Sequence, residues 1–285
     1  TSMEIKIIDR DFNFLGLVDE FTSFVCTKKW HGIGSFELHL HEDATNANNL
    51  QKENIVFDRE NKAYVIMHRE ASSIEGKLII KGLELKSYLK RWLVFPPEGQ
   101  AYYRVNSNAE TIMKEYVTAT LARKGITNIA IAPNQSRGMS TVYQSRYKNL
   151  ADELKKLSLA SGLGWDIRLD LENKQFVFDV TQGQDRTAEQ DSLPPAIFSI
   201  EYDNVAEQRL VDSKLNYSNV AVVAGQGQGA DREIVVIGNA DGLDSFELFV
   251  DARDLESAND LPARGEQKLA EMQEVFSFDS QVLAD

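Results

Sequence analysis

Few residue groups in this chain have the types and spacing for chemistry. The first is Gly225-Gln-Gly227-Gln-Gly229. A glycine-rich loop cradles phosphate when a strand precedes it and a helix follows, because the helix N-terminus supplies free amide donors. Here NVAVVA precedes the glycines and REIVVIG follows them. Both are short β-branched runs, so Gly225, Gly227 and Gly229 read as a mobile loop between two strands. No cofactor is expected from them.

The second group is Glu37, His39 and His41 in SFELHLH. They stand two apart on a strand and so share a face, which could present three metal-ligating side chains. Phe36, Leu38 and Leu40 alternate with them, which makes the His face equally a solvated polar surface. No second cluster completes a site, and no metal is expected. The third group is Asp251, Asp254 and Glu256 in FVDARDLE. A glycosidase needs two carboxylates facing each other across a cleft. In a chain with 44 acidic residues, a solvated strand end with Asp254 capping a turn is the simpler reading. No GxSxG, HExxH, CxxC or P-loop pattern occurs, and no catalytic residue is assigned. The single cysteine, Cys26 in FTSFVCTKKW, excludes an intrachain disulfide and reads as a small buried hydrophobe in a strand. Trp30 and Trp165 lie in strand-like segments and read as core. Tyr102 and Tyr103, in a loop beside Pro96-Pro97, read as a contact surface.

The composition narrows the partners. The 285 residues carry a formal charge of −13, and 42% are hydrophobic. That suffices for more than one core. The acidic balance disfavours a basic nucleic-acid interface. No apolar run reaches the roughly 18 residues of a membrane span, and the start of the chain lacks a signal-peptide pattern. Thr1-Ser2 before Met3 read as an expression remnant.

Around these groups the elements follow a coarse plan. Residues 4–94 read as β: EIKIID, FLGLV, FTSFVCTKKW, GSFELHLH, NIVFD, KAYVIMHREAS and GKLIIKGLEL, with hairpin turns at Glu60-Asn61 and Glu75-Gly76. A helical turn over Leu85–Leu89 follows. Pro96-Pro97-Glu98-Gly99 stops both helix and strand. Ser107-Asn-Ala-Glu110 matches a capping box, and Ile112, Met113, Tyr116, Val117, Thr120 and Leu121 form a helical stripe ended by Gly125. A second helix spans about Asn149 to Ser161, with Leu150, Leu154, Leu157 and Ala160 or Ser161 inward and Asp152, Glu153, Lys155 and Lys156 outward. WDIRLDLENKQFVFDV reads as a hairpin turning at Glu172-Asn173. RTAEQDSLP is a linker. FSIEYDN, QRLVDSKL, SNVAVVA, REIVVIG and SFELFVD are strands, and a helix starts near Leu261-Pro262 with Asp260 as its N-cap. FSFDSQVL alternates like a strand to the end, either a final sheet edge or the start of something longer. The fold class is α+β and predominantly β: tandem small β-barrel-like domains with an intervening α+β domain of two helices on a small sheet. The expected domains are 3–96, 97–190 and 191–285.

Three blocks carry a resemblance. They are the opening EIKIIDRDFNFLGLVDEFTSFVCTKKWHGIGSFELHL, the middle YKNLADELKKLSLASGLGWDIRLDLENKQFVFDVTQGQDRT, and the stretch FSIEYDNVAEQRLVDSKLNYSNVAVVAGQGQG through GLDSFELFVDARDL. The middle block ends in Gly183-Gln184-Asp185-Arg186. The third contains Tyr217, Asn219, Val220, Val223, Gly225 and Gly227, then Phe249 where the family pattern has Tyr, and Val250 to Leu255. Together they resemble the ReqiPepy-type siphovirus tail protein family, over nearly the whole chain.

The resemblance implies a structural component of a phage or prophage tail and not an enzyme: the N-terminal hub region of a tail-associated or baseplate protein. Such a hub sits in the virion tail at the distal end of the tube, is made in the host cytoplasm, and forms a homotrimer with other tail proteins as partners. DNA would pass its lumen only transiently, and an acidic lumen wall would not retain it. Gly225, Gly227, Gly229, Tyr102 and Tyr103 are the expected loop or inter-subunit contacts. Two alternatives come from the residues themselves: a cell-wall hydrolase using Asp251 and Asp254, and a receptor- or carbohydrate-binding module using Tyr102-Tyr103.

Overall fold

The computed structural model describes residues 3–72, 74–183 and 208–280. In chain order the first strands are β1 (Ile5–Ile8), β2 (Phe14–Val18), β3 (Ser23–Cys26), β4 (Ser35–His41), β5 (Ile55–Phe57), β6 (Ala63–Ser72) and β7 (Lys77–Glu84). A 3-10 turn over Leu85–Arg91 follows, then β8 (Tyr103–Asn108), α1 (Ala109–Arg123), β9 (Ile129–Ile131) and β10 (Ser140–Ser145). Next come α2 (Leu150–Ser161), β11 (Gly164–Asp170), β12 (Gln175–Thr181), β13 (Gln208–Ser213) and β14 (Val220–Ala224). β15 (Ile234–Ile237), β16 (Glu247–Asp251), α3 (Leu261–Glu271) and β17 (Val275–Ser280) complete the order. The expected strand FSIEYDN and the linker RTAEQDSLP lie outside the described residues.

The chain divides into two compact units. The first is built from the described residues of Thr1–Glu84, Gln184–Leu215 and Val275–Asp285. Its sheet runs β2-β1-β5-β6-β7-β4-β3, with β13 on β6 and β17 on β13. The alternation in β4 does what period 2 demands: Phe36, Leu38 and Leu40 enter a core with Ile5, Ile7, Val56, Ile66, Leu78 and Ile80. The β1–β2 turn is held by Asp9, whose carboxylate accepts from the amides of Asp11 and Asn13 at 2.9 Å each, the local bonding that makes Asp a turn former. β2 and β3 each have one neighbour, so the pairing path is open and no closed barrel forms among the described residues.

The second unit comprises Leu85–Gly183 and Asn216–Glu274. It holds three small sheets, β10-β8, β11-β12-β9 and β15-β14-β16. The α+β, predominantly β class is therefore what the chain forms. The stripe on α1 is buried along its whole length, from Ile112 to Leu121. Gly125, at φ 66°, takes the left-handed turn after it. α2 is capped at both ends: Asn149 accepts from the Asp152 amide at 3.3 Å, and Gly162 ends it at φ 75°. The hairpin β11–β12 turns where Glu172-Asn173 places it. α3 carries Pro at its first turn and packs on β14 and β15.

Several local expectations are corrected. The capping box does not form: Asn108 is the N-cap of α1, accepting from Thr111 at 2.9 Å. Glu110 instead turns inward and is fully buried. Glu153, expected outward on α2, is also buried, while Ala160 is exposed. Asp260 makes no side-chain cap; Ser257 caps the preceding 3-10 turn by accepting from Asn259. β3 ends at Cys26, so Trp30 lies in the loop after it and is half-buried, not core. Cys26 itself is exposed: it stands at the end of β3, the terminal strand of its sheet. β8, β9 and β10 are strands beyond those read from the sequence.

Candidate assembly surface

The glycine loop joins β14 to β15, as the flanking β-branched runs predict. Hydrogen bonds hold its two ends together, and residues 226–231 between them are exposed. Gly225 N donates to Glu233 O at 2.8 Å, and Glu233 N donates to Gln226 O at 3.0 Å. Arg232 is buried beneath it and clamps both ends: Nε donates to Gly225 O at 2.8 Å, and Nη2 to Ala224 O at 3.1 Å and to Asp251 Oδ1 at 2.7 Å. Gly227 has φ 105°, and a Cβ there would stand 2.8 Å from Arg232 Cα and from Asp231 O. Both the dihedral and the backbone contact require glycine. No phosphate cradle exists, since a short 3-10 turn and then β15 follow.

Tyr102 is exposed, whereas Tyr103 is drawn in. The Tyr103 ring meets Tyr116 edge-on at 5.0 Å, its hydroxyl donates to Glu115 Oε1 at 3.1 Å, and its carbonyl accepts from Tyr116 OH at 2.8 Å. Burial, with the nearby Glu115 carboxylate, pushes the Tyr103 phenol up to about 12. Tyr103, Tyr116, Phe95, Pro96, Pro97 and Arg123 line a groove of about 310 Å³. The two prolines and Tyr103 are thus brought together, as their proximity in sequence suggested.

Two buried charge networks hold this unit, and neither was foreseen. Glu247 on β16 accepts from Arg123 at 2.6 and 3.0 Å and from the Leu93 amide at 2.9 Å, with Lys124 Nζ at 3.2 Å. The Arg123 guanidinium also lies 3.8 Å from the centre of the Phe95 ring. Glu110 bonds Lys114 at 3.0 Å, Arg137 Nε at 2.7 Å and the Gln135 amide at 2.8 Å. Burial alone would raise its pKa; those donors outweigh it and hold the carboxyl down at about 2. Glu110 carried one sequence signal, an acid in the first turn of an apolar helix; the alternation of Phe246, Leu248 and Val250 pointed Glu247 away from their face, and its burial is read from the structure alone.

The remaining expected groups are structural. Asp251 is tied to Arg232, and Asp254 accepts twice from Arg264 at 2.7 and 3.0 Å. In the first unit, His39 is buried rather than solvated and bonds Glu37 at 2.6 Å. Among the described residues no group of three His, Cys, Asp or Glu is placed to hold a metal ion. No helix among them is long and apolar enough to cross a membrane.

The family profile described as Siphovirus ReqiPepy6 Gp37-like protein matches residues 4–285. No curated protein matches the chain. Among solved structures it is similar to the prophage tail protein gp18 from Listeria monocytogenes EGD-e, at 11% identity over 92% of this chain and 76% of that one, with a TM-score of 0.42. It is similar also to the prophage MuSo2 43 kDa tail protein from Shewanella oneidensis, at 12% identity over 94% and 77%, TM-score 0.40. A third is the tail protein from Neisseria meningitidis MC58, at 13% identity over 95% and 76%, TM-score 0.41. Likeness at this level says nothing of activity or partners.

Proposed function

Because this chain belongs to the Siphovirus ReqiPepy6 Gp37-like protein family, we propose that it is a hub or tip component at the distal end of a phage or prophage tail tube. In that role it forms a homotrimer, binds the neighbouring tail proteins and lets DNA pass without retaining it. The family match over residues 4–285 carries this reading. The charge of −13 supports a conduit for a polyanion. Tyr102 and the glycine loop remain its proposed contact points.

The hydrolase alternative has lost ground, since Asp251 and Asp254 are each engaged by an arginine. A cell-wall assay of Asp251→Ala with Asp254→Ala, compared with the parent chain, tests it: activity that disappears on substitution would restore the enzyme.

The hub reading is tested on particles. A tagged chain should be found by gold labelling at the tail end distal to the capsid, and deletion of its gene should give particles without complete tails. Label elsewhere on the virion, or normal infectious tails without the chain, would refute it.

A further inference from the structure

The two ends of the first unit's sheet are finished differently. At β2, the last strand on one side, the carbonyls of Leu15 and Leu17 accept from the Asn49 and Asn46 side chains at 2.8 and 2.9 Å. Side chains thus cover that edge against a further strand. At β3, the last strand on the other side, no side chain among the described residues bonds the backbone of Phe24 or Cys26. The Thr27 amide donates to Ser35 O at 2.8 Å, and Val25 and Ser23 continue that register on β4. By the alternation of an antiparallel ladder, the amides and carbonyls of Phe24 and Cys26 point away from β4. Val25 is 62% exposed, and Cys26 is exposed as well.

The charges around this edge are arranged about its centre. Asp19 and Glu20 precede β3, Lys28 and Lys29 follow it, and all four are exposed. Asp19 and Lys29 stand five residues from Phe24 on either side, and Glu20 and Lys28 four.

We propose that β3 is a docking edge for the β3 of a second copy, antiparallel and centred on Phe24. Phe24 of each copy exchanges both backbone hydrogen bonds with its counterpart. The Cys26 amide of each donates to the Thr22 carbonyl of the other; the Thr22 amide is already held by His39 O. Val25 lies across from Ser23 of the second copy and diagonal to its Val25, which takes exposed apolar surface out of water. The occupant is a second copy because the edge carries its own complement. Antiparallel pairing sets Asp19-Glu20 of each copy beside Lys28-Lys29 of the other, whereas parallel pairing sets like charge beside like. Such a contact is isologous and closes with two copies. It cannot build a threefold ring, so it stands or falls separately from the hub reading. One short strand buries little surface, and the pair is therefore weak and parts on dilution.

Amide exchange of the parent chain at about 50 mM salt tests the contact without a variant. In concentrated solution the Phe24 and Cys26 amides should be protected at least about tenfold more than in dilute solution. The Val25 amide, bonded to β4, should not change. A cysteine trap tests the register. In Thr22→Cys the new thiol faces Cys26 of the second copy across a hydrogen-bonded pair, whose Cα atoms stand about 5.5 Å apart, within disulfide reach. Oxidised glutathione should then give a covalent dimer. The parent should give none, since its two Cys26 lie four positions out of register, roughly 13 Å apart. Trapping should fall at least about tenfold by about 0.5 M salt. Added to Thr22→Cys, Asp19→Lys with Glu20→Lys should abolish the crosslink, as should Lys28→Glu with Lys29→Glu. A mixture of these two variants restores opposite charges at both ends and should give a mixed dimer. Exchange indifferent to concentration overturns the proposal. So does a parent that crosslinks as readily as Thr22→Cys, trapping indifferent to salt, or a mixture that stays uncrosslinked. Far-ultraviolet dichroism confirms that each variant is folded, and the exchange of the parent decides where one is not. Gold labelling of the tail is decided separately: a tail-end chain without this dimer refutes this contact alone, and a dimer absent from tails refutes the hub reading alone.

Discussion

Arg123 and Glu247 stand 124 positions apart and meet through two hydrogen bonds of 2.6 and 3.0 Å. One ends α1 and the other opens β16, and the Glu247 side chain is 1% exposed. The pair therefore fastens the helical part of the second unit to its last sheet. Glu247→Ala would leave Arg123, Lys124 and the Leu93 amide without their shared acceptor. Loss of one partner of a buried pair costs about 3–5 kcal/mol, and urea unfolding should show a loss of that order. A double-mutant cycle with Arg123→Ala should give a coupling of at least about 0.5 kcal/mol. A cycle that adds without coupling would show the pair to be incidental.

Glu110 gives the unit a pH dependence. Its folded-state pKa of about 2 lies below the ordinary 4.5, so the unfolded chain takes up the proton first. The stabilisation is complete above about pH 5 and is lost as pH falls toward 2, on the order of 3 kcal/mol in total. In Glu110→Gln this contribution is absent. Unfolding free energies of the two proteins, measured from about pH 6 to pH 3, should therefore converge as the solution becomes acidic. A constant difference would contradict the assignment.

Gly227 and Gly229 should respond differently to alanine. At Gly229, φ is 56° and the nearest atom to an added Cβ is 3.6 Å away, so the cost is that of a left-handed residue, about 1–2 kcal/mol. At Gly227, φ is 105° and backbone atoms stand 2.8 Å away, which adds a steric cost of about 1–3 kcal/mol. Thermal unfolding should rank Gly227→Ala clearly below Gly229→Ala.

Cys26 is exposed on β3. A thiol reagent should therefore label the native chain at close to the rate seen in denaturant. Protection of tenfold or more would mean that this strand is covered in solution.

The local pattern was legible where a local cause acts. The alternation of SFELHLH, the Asn149 and Gly162 ends of α2, the α1 stripe and the β14–β15 hairpin each follow from period, cap or turn chemistry within about a dozen residues. The failures share a cause as well. Ser107 and Glu110 satisfy a capping box on paper, but Arg137 and Lys114 offer Glu110 stronger, charge-assisted partners in the interior. His39 looked solvated because period 2 says which face a residue takes, not what covers that face.

By itself, then, the sequence determined the β-rich class, most elements, the exclusion of a phosphate loop and the resemblance that the family match supports. Tertiary structure alone decided which distant segments meet. β13 joins β6 from more than a hundred residues away, Arg232 locks the glycine loop to Asp251, and Arg123 finds Glu247. Period, propensity and capping act over one or two turns of chain. A buried charge, by contrast, selects its partner by the geometry of the whole core, where desolvation makes an unpaired group costly.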